Sequence, residues 1–237
     1  MYLTIYLTFN FAGGFPPLID TSHLELTEPR IAGDKQMLYC PGIPGAGKTI
    51  LSATVIDHLH AQFRSNPEVG IAYLYCNFRR HDSQTAENLV RNVLKQLASA
   101  RPALPDSVKA LYNEGRNPSL DKVSAALQSV VAEYSKVYVV VDALDECTPS
   151  EGCRGRFLGQ LFDLHSMTGV SVFATSRFIP DIMEKFEGFA SLEIRASRED
   201  VGWYLQGHMG ELMPFVASRK DMQEGIVTAI SDAADGM

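Results

Sequence analysis

Excess basic charge, paired cysteines and long apolar runs are all missing from this 237-residue chain. Its 21 lysines and arginines stand against 28 aspartates and glutamates, a net charge of -7. That balance provides no field to gather a nucleic-acid backbone, so no nucleic-acid partner is expected. Cys40, Cys76, Cys147 and Cys153 contain no C-x-x-C pair and no Cys/His set at zinc-finger spacing. This excludes a disulfide scaffold and fits reduced thiols in a cytoplasmic protein. The run from Met1 to Phe11 is apolar and aromatic, yet it has no basic n-region and is interrupted by Thr4, Thr8 and Asn10. It is shorter than the about 20 apolar residues of a membrane helix and reads as a strand-like segment, so neither a secretory signal nor a membrane partner is expected. Repeats and low-complexity tracts are also lacking. With 46% hydrophobic and 21% charged residues, the composition is that of a globular chain able to bury its own core.

Gly13, Gly14, Pro16 and Pro17 break the first segment, and residues 1–33 read as a flank without a recognised domain. From residue 34 to 199 short β-rich runs alternate with longer helical stretches, the pattern of parallel strands joined by crossover helices. Strands are expected at Met37 to Cys40, Ile71 to Cys76, Val137 to Val141, Val170 to Thr175 and, weakly, Ser191 to Ile194. Their near-continuous apolarity predicts a parallel five-stranded sheet covered by helices on both faces. Lys48 to Phe63 places Leu51, Val55, Ile56 and Leu59 on one helical stripe, and Thr85 to Leu97 does the same with Leu89, Val93 and Leu97. A short helix is expected near Val108 to Tyr112, and another from an N-cap at Ser119 to Tyr134. Residues 200–237 are helical only, an incomplete helical appendage, in which Trp203 reads as core.

Chemistry concentrates in Gly42-Ile43-Pro44-Gly45-Ala46-Gly47-Lys48-Thr49, a full Walker A pattern. Gly42, Gly45 and Gly47 permit a loop whose N–H groups turn inward on phosphate oxygens. Lys48 is expected at the β and γ phosphates and Thr49 at Mg²⁺, with the helix N-terminus facing the anion. A buried strand, Val137 to Val141, ends in Asp142-Ala143-Leu144-Asp145-Glu146. A carboxylate at the end of such a strand is what a Walker B element requires, and Asp142 is expected in the Mg²⁺ shell. Asp145 and Glu146 are both candidates to orient or deprotonate the attacking water, with a slight preference for Glu146 as base. A third apolar strand ends in Thr175-Ser176-Arg177. If it lies beside the Walker A strand, Arg177 emerges near the γ phosphate; otherwise it closes a surface turn before Pro180. Arg79, Arg80, His81 and Asp82 form a polar group that lines the site or a solvated loop. His58, His60 and His165 sit on helical segments without metal-ligand spacing and read as surface or partly buried residues.

The stretch between the two Walker elements contains an additional strand, which puts the Walker B strand out of contact with the Walker A strand. Together with Cys40-Pro41-Gly42-Ile43-Pro44-Gly45-Ala46-Gly47-Lys48-Thr49, Val141-Asp142-Ala143-Leu144-Asp145-Glu146-Cys147 and Ala174-Thr175-Ser176-Arg177, this resembles a NACHT domain of the STAND class of P-loop NTPases, of the fungal NOD-like receptor type. The resemblance runs over roughly residues 34–237. It implies a signalling switch that binds ATP or GTP with Mg²⁺, hydrolyses it slowly, and couples nucleotide state to self-association or an effector protein. It also implies Lys48, Asp145, Glu146 and Arg177 as catalytic residues, the last as a sensor. The alternative is a non-catalytic interaction module stabilised by nucleotide. The effector, winged-helix and repeat regions of full-length relatives have no counterpart in these 237 residues, and base preference is not legible.

Overall fold

The computed structural model describes residues 36–79, 84–115, 118–147, 152–195, 198–217 and 219–234. Its centre is a five-stranded parallel sheet of order β2-β3-β4-β1-β5, built from β1 (Met37–Pro41), β2 (Val69–Tyr75), β3 (Lys136–Asp142), β4 (Ser171–Ser176) and β5 (Ala190–Ser191). Every residue of β1 and β4 is buried, as are all of β3 after Lys136, because these strands are flanked in the sheet and covered above and below. β2 alternates buried with more exposed positions, the signature of its place at one edge.

Side-chain alternation assigns the two faces. Leu38, Cys40, Tyr138, Val140 and Phe173 pack under α1 (Lys48–Phe63) with Leu51, Val55, Ile56 and Leu59. Met37, Tyr39, Val139, Val141, Val172 and Ala174 face the opposite layer. That layer consists of α2 (Ala86–Ser99), α4 (Leu120–Val131) and α5 (Cys153–Thr168), which also pack on one another, while α3 (Asp106–Glu114) leans on α4. α6 (Pro180–Lys185) follows β4. After β5, α7 (Arg198–His208), α8 (Pro214–Ala217) and α9 (Lys220–Ala234) pack together. No helix among the described residues is long and apolar enough to cross a membrane.

Five strands and both covering layers agree with expectation, and α1 has the expected limits. Several details differ. β2 begins two residues earlier than expected, and β5 is confined to Ala190–Ser191. The chain beyond β5 still extends the ladder, since Leu192 and Ile194 donate their N–H groups to Tyr39 and Pro41. Ser119 precedes α4 but its hydroxyl makes no capping bond, and that helix ends at Val131 instead of Tyr134. Helix α5 is expected only as a helical segment around His165, and its full extent, Cys153–Thr168, comes from the structure. It is nonetheless a core element, burying Phe157, Leu158, Leu161 and Leu164. Residues 1–33, Arg80, His81, Asp82 and the Trp203 side chain lie outside the described residues.

Phe157 is 2% exposed and among the largest fully buried side chains. Phe157→Ala is expected to lower unfolding free energy by about 3–5 kcal/mol, measured by denaturant titration; a change below about 1 kcal/mol would mean that α5 does not pack on the sheet as described.

Candidate phosphate site

Parallel strands bring their C-terminal ends to one edge, where β1, β3 and β4 deliver three loops side by side. The first is the turn from Gly42 to Gly47. Gly45 and Gly47 have φ of 84° and 91°, a left-handed conformation that a side chain would oppose. Gly42 has no such angle; its requirement is steric. A Cβ there would lie 2.8 Å from the carbonyl oxygen of Ile194, so the glycine permits the segment after β5 to cross the loop. Gly47 leads directly into α1, whose first turn contains no acidic residue and whose N-terminus receives no side-chain cap. Its opening N–H groups are therefore available to an external anion. The Lys48 ammonium donates to the carbonyls of Gly42 (2.8 Å) and Ile43 (2.7 Å), bracing the loop from inside. Burial lowers its pKa, an effect opposed by nearby Asp145.

The second loop follows β3. Asp142 is 3% exposed, and its carboxylate accepts from three hydroxyls: Thr49 at 2.8 Å, Ser52 at 2.7 Å and Thr175 at 2.7 Å. These partners come from the first two turns of α1 and from the end of β4, the strand between β3 and β1. Ala143 takes a left-handed conformation (φ 56°), rare without glycine. Its N–H is fixed by Thr175 Oγ1 at 3.0 Å. The turn over Leu144–Glu146 then presents two acids in different directions. Asp145, its side chain 3% exposed, accepts from the backbone N–H of Arg177 (2.9 Å) and from Arg177 Nε (2.5 Å). That hydrogen bond and the accompanying charge raise the guanidinium pKa. Glu146 Oε2 instead accepts from the N–H of Phe78, in the loop after β2, at 3.2 Å.

A cavity of about 450 Å³ is lined by Pro44, Gly45, Gly47, Lys48, Thr49, Asp145, Glu146 and Arg177 among the predicted residues. Asp142 lies under its floor through Thr49. Gly42, Ile43 and Ala46 shape the loop from behind without lining the cavity. Ile50, Phe78 and Ala143 complete the wall. Two larger depressions, about 730 and 610 Å³, lie beside β2 and contain none of these groups; donor chemistry, not size, selects the smaller one. Among the described residues no group of three or more His, Cys, Asp or Glu side chains is placed to hold a metal ion by itself, at this site or elsewhere. His165 is instead engaged with the carbonyl of Val170, and Arg79 stacks over Phe78.

A glycine loop leading into a helix, a strand-end carboxylate bonded to that helix and an intervening strand between the two define a P-loop NTPase, and the sequence comparisons that follow make it one of the NACHT and STAND type. Residues 23–177 match the family model described as nephrocystin 3, N-terminal, and the chain belongs to that family. It is 25% identical over 213 residues to vegetative incompatibility protein HET-E-1 of Podospora anserina, an alignment covering 81% of this chain and 15% of that protein. The chain thus spans only a small part of that relative's length. Similar solved structures include the Aeropyrum pernix ORC1 protein in complex with DNA (18% identity, 73% of this chain, 43% of that chain, TM-score 0.48). Drosophila ORC bound to DNA is another (17% identity, 85% of this chain, 44% of that chain, TM-score 0.49).

Thr175→Val keeps the shape of a fully buried residue while removing its bonds to Asp142 and Ala143. It is expected to cost about 1–3 kcal/mol of stability, read from chemical denaturation; a neutral result would show that the Ala143 turn holds without the Thr175 hydroxyl.

Proposed function

We propose that this chain is a nucleotide-controlled signalling switch that binds ATP or GTP with Mg²⁺, hydrolyses it slowly, and couples the state of the nucleotide to self-association or to an effector protein in the cytoplasm. The observation that carries this reading is the Thr49–Asp142 hydrogen bond, which joins the phosphate loop to the strand-end carboxylate at the floor of the cavity. The organisation proposed with it is an NTPase domain over residues 34–199, a flank before it and a helical appendage over 200–237.

The donor set fits a hard divalent cation. Thr49 gives its hydroxyl proton to Asp142, which leaves oxygen lone pairs for a metal, and the carboxylate supplies the compensating charge. Mg²⁺ held there would neutralise charge on the β and γ phosphates. The chain's own groups supply the rest. Gly45, Gly47 and the start of α1 offer N–H donors to the phosphates. Lys48 exchanges its bonds to the Gly42 and Ile43 carbonyls for phosphate oxygens. Glu146 is the better base of the two acids: both oxygens of Asp145 are engaged by Arg177, whereas one Glu146 oxygen holds only the Phe78 N–H. Catalysis by a positioned carboxylate needs that spare oxygen to reach a water.

Arg177 supplies the switch. A terminal phosphate attracts its guanidinium away from Asp145, while a diphosphate leaves the pair closed. The two nucleotides thereby stabilise different arrangements of one loop, the condition for a ligand to shift a conformational equilibrium. A second reading, nucleotide binding without turnover, is favoured by the Arg177 bonds that engage both Asp145 oxygens and by the Phe78 N–H that ties down one oxygen of Glu146.

Lys48→Ala is expected to abolish the rise in melting temperature that nucleotide produces in the parent protein. Glu146→Gln is expected to retain that rise while turnover falls about 100-fold or more, followed by phosphate release. Unchanged turnover in Glu146→Gln would remove Glu146 as base; no turnover in the parent protein would leave the binding-only reading.

A further inference from the structure

We propose that Cys76 and Cys147 form a reversible disulfide, made by a peroxide, that clamps the loop after β2 to the loop after β3 beside the phosphate cavity. The two sulfurs are 2.6 Å apart and belong to residues 71 positions distant in sequence. Bond formation brings them to about 2.05 Å, a displacement of well under one ångström. Cys76 is anchored at the end of the β2–β3 ladder, and the turn over Leu144–Glu146 carries Cys147 back to it. Tyr75 pairs with Asp142 as the last rung between β2 and β3, and Cys76 donates its N–H to the carbonyl of Asp142 at 3.0 Å, extending the same ladder.

The other two cysteines are committed elsewhere. The Cys153 thiol donates to the carbonyl of Gln84 at 3.1 Å, and Cys40 is buried on the α1 face of the sheet. Cys76 is 5% exposed and Cys147 fully buried, so the first oxidation falls on Cys76 and requires an oxidant as small as hydrogen peroxide. Its sulfur bonds to one peroxide oxygen, the O–O bond breaks, and water departs with the thiol proton, leaving a sulfenic acid. The Cys147 sulfur then displaces that oxygen as a second water. Two thiols are oxidised and one peroxide is reduced to two waters. Glutathione or dithiothreitol reverses the bond by thiol exchange.

The clamp lies beside Glu146 and one residue from Asn77, and it spans the same gap as the hydrogen bond from the Phe78 N–H to Glu146. Oxidation therefore fixes both ends of that bond and holds the Glu146 carboxylate against the loop after β2. In a reducing compartment such a disulfide is transient and regulatory instead of structural.

The test exposes the reduced full chain to hydrogen peroxide under native conditions, blocks remaining thiols with iodoacetamide, and digests with trypsin and a glutamate-specific protease. Cleavage after Glu146 and Glu151 separates Cys147 from Cys153. The expected product is one cross-linked peptide pair containing Cys76 and Cys147, a whole-chain loss of about 2 Da before alkylation, and full reversal by dithiothreitol. Amide exchange at Phe78 is expected to slow about tenfold or more in the oxidised protein. Cys153→Ser should still cross-link, and Cys76→Ser should not. A bond to Cys153 or Cys40, sulfinic acid without a cross-link, a cross-link that forms only after unfolding, or unchanged exchange at Phe78 would each overturn the proposal. Because the mapping in the parent chain needs no variant to fold and no nucleotide to bind, its outcome stands apart from that of the switch itself.

Discussion

A single buried carboxylate organises the phosphate end of this molecule. Asp142 sits where β3 ends, almost without solvent, and a charge in that position is tolerable only if its oxygens are satisfied. Three hydroxyls satisfy them, from Thr49, Ser52 and Thr175. Because two of these belong to α1 and one to β4, the same bonds fix the helix that carries the phosphate loop against the strands that carry the acids and the arginine. Replacing the carboxylate with an apolar group would leave the two buried hydroxyls of Ser52 and Thr175 seeking partners, a larger cost than the loss of either bond alone.

From that centre the surrounding features follow by packing. Thr175 holds the N–H of Ala143 as well as the carboxylate, which keeps Ala143 in its left-handed turn and sends Asp145 and Glu146 toward different neighbours. Local strain of this kind persists where the neighbourhood over-determines it, commonly at functional sites. Asp145 meets Arg177 from the adjacent strand end, and Glu146 meets the loop after β2. The loops after three parallel strands thus open on a common mouth, and the order β3-β4-β1 is what places them there.

Much of this arrangement is legible in the sequence because it depends on periodicity and on the special conformations of glycine. The apolar runs of β1, β3 and β4 mark central strands, the stripe Leu51, Val55, Ile56 and Leu59 marks the covering face of α1, and the glycine pattern with its following Lys-Thr marks the loop. Less legible are contacts between distant segments. Ser52 lies three residues after Thr49, on the same helical face, so its bond to Asp142 had a local signal. The role of Thr175 depends on which strand lies beside β3, and that of Gly42 depends on where the chain passes after β5. Neither could be read from spacing alone. Helix α5 is legible only as a helical segment around His165; Phe157, Leu161 and Leu164 recur at helical spacing, but Gly155 and Gly159 weaken the pattern that would mark its start. The assignment of Glu146 over Asp145 rests on Arg177 and Phe78, both remote in sequence.

The central claim is that the loop of Gly42 to Thr49 and the carboxylate of Asp142 act together on a phosphate tail and its divalent ion. Calorimetric titration of the protein with ATP, in the presence and absence of Mg²⁺, tests it most directly. The account predicts one saturable site, tightened about tenfold or more by Mg²⁺, with that Mg²⁺ dependence lost in Thr49→Val. An absence of binding, or binding indifferent to Mg²⁺, would contradict it.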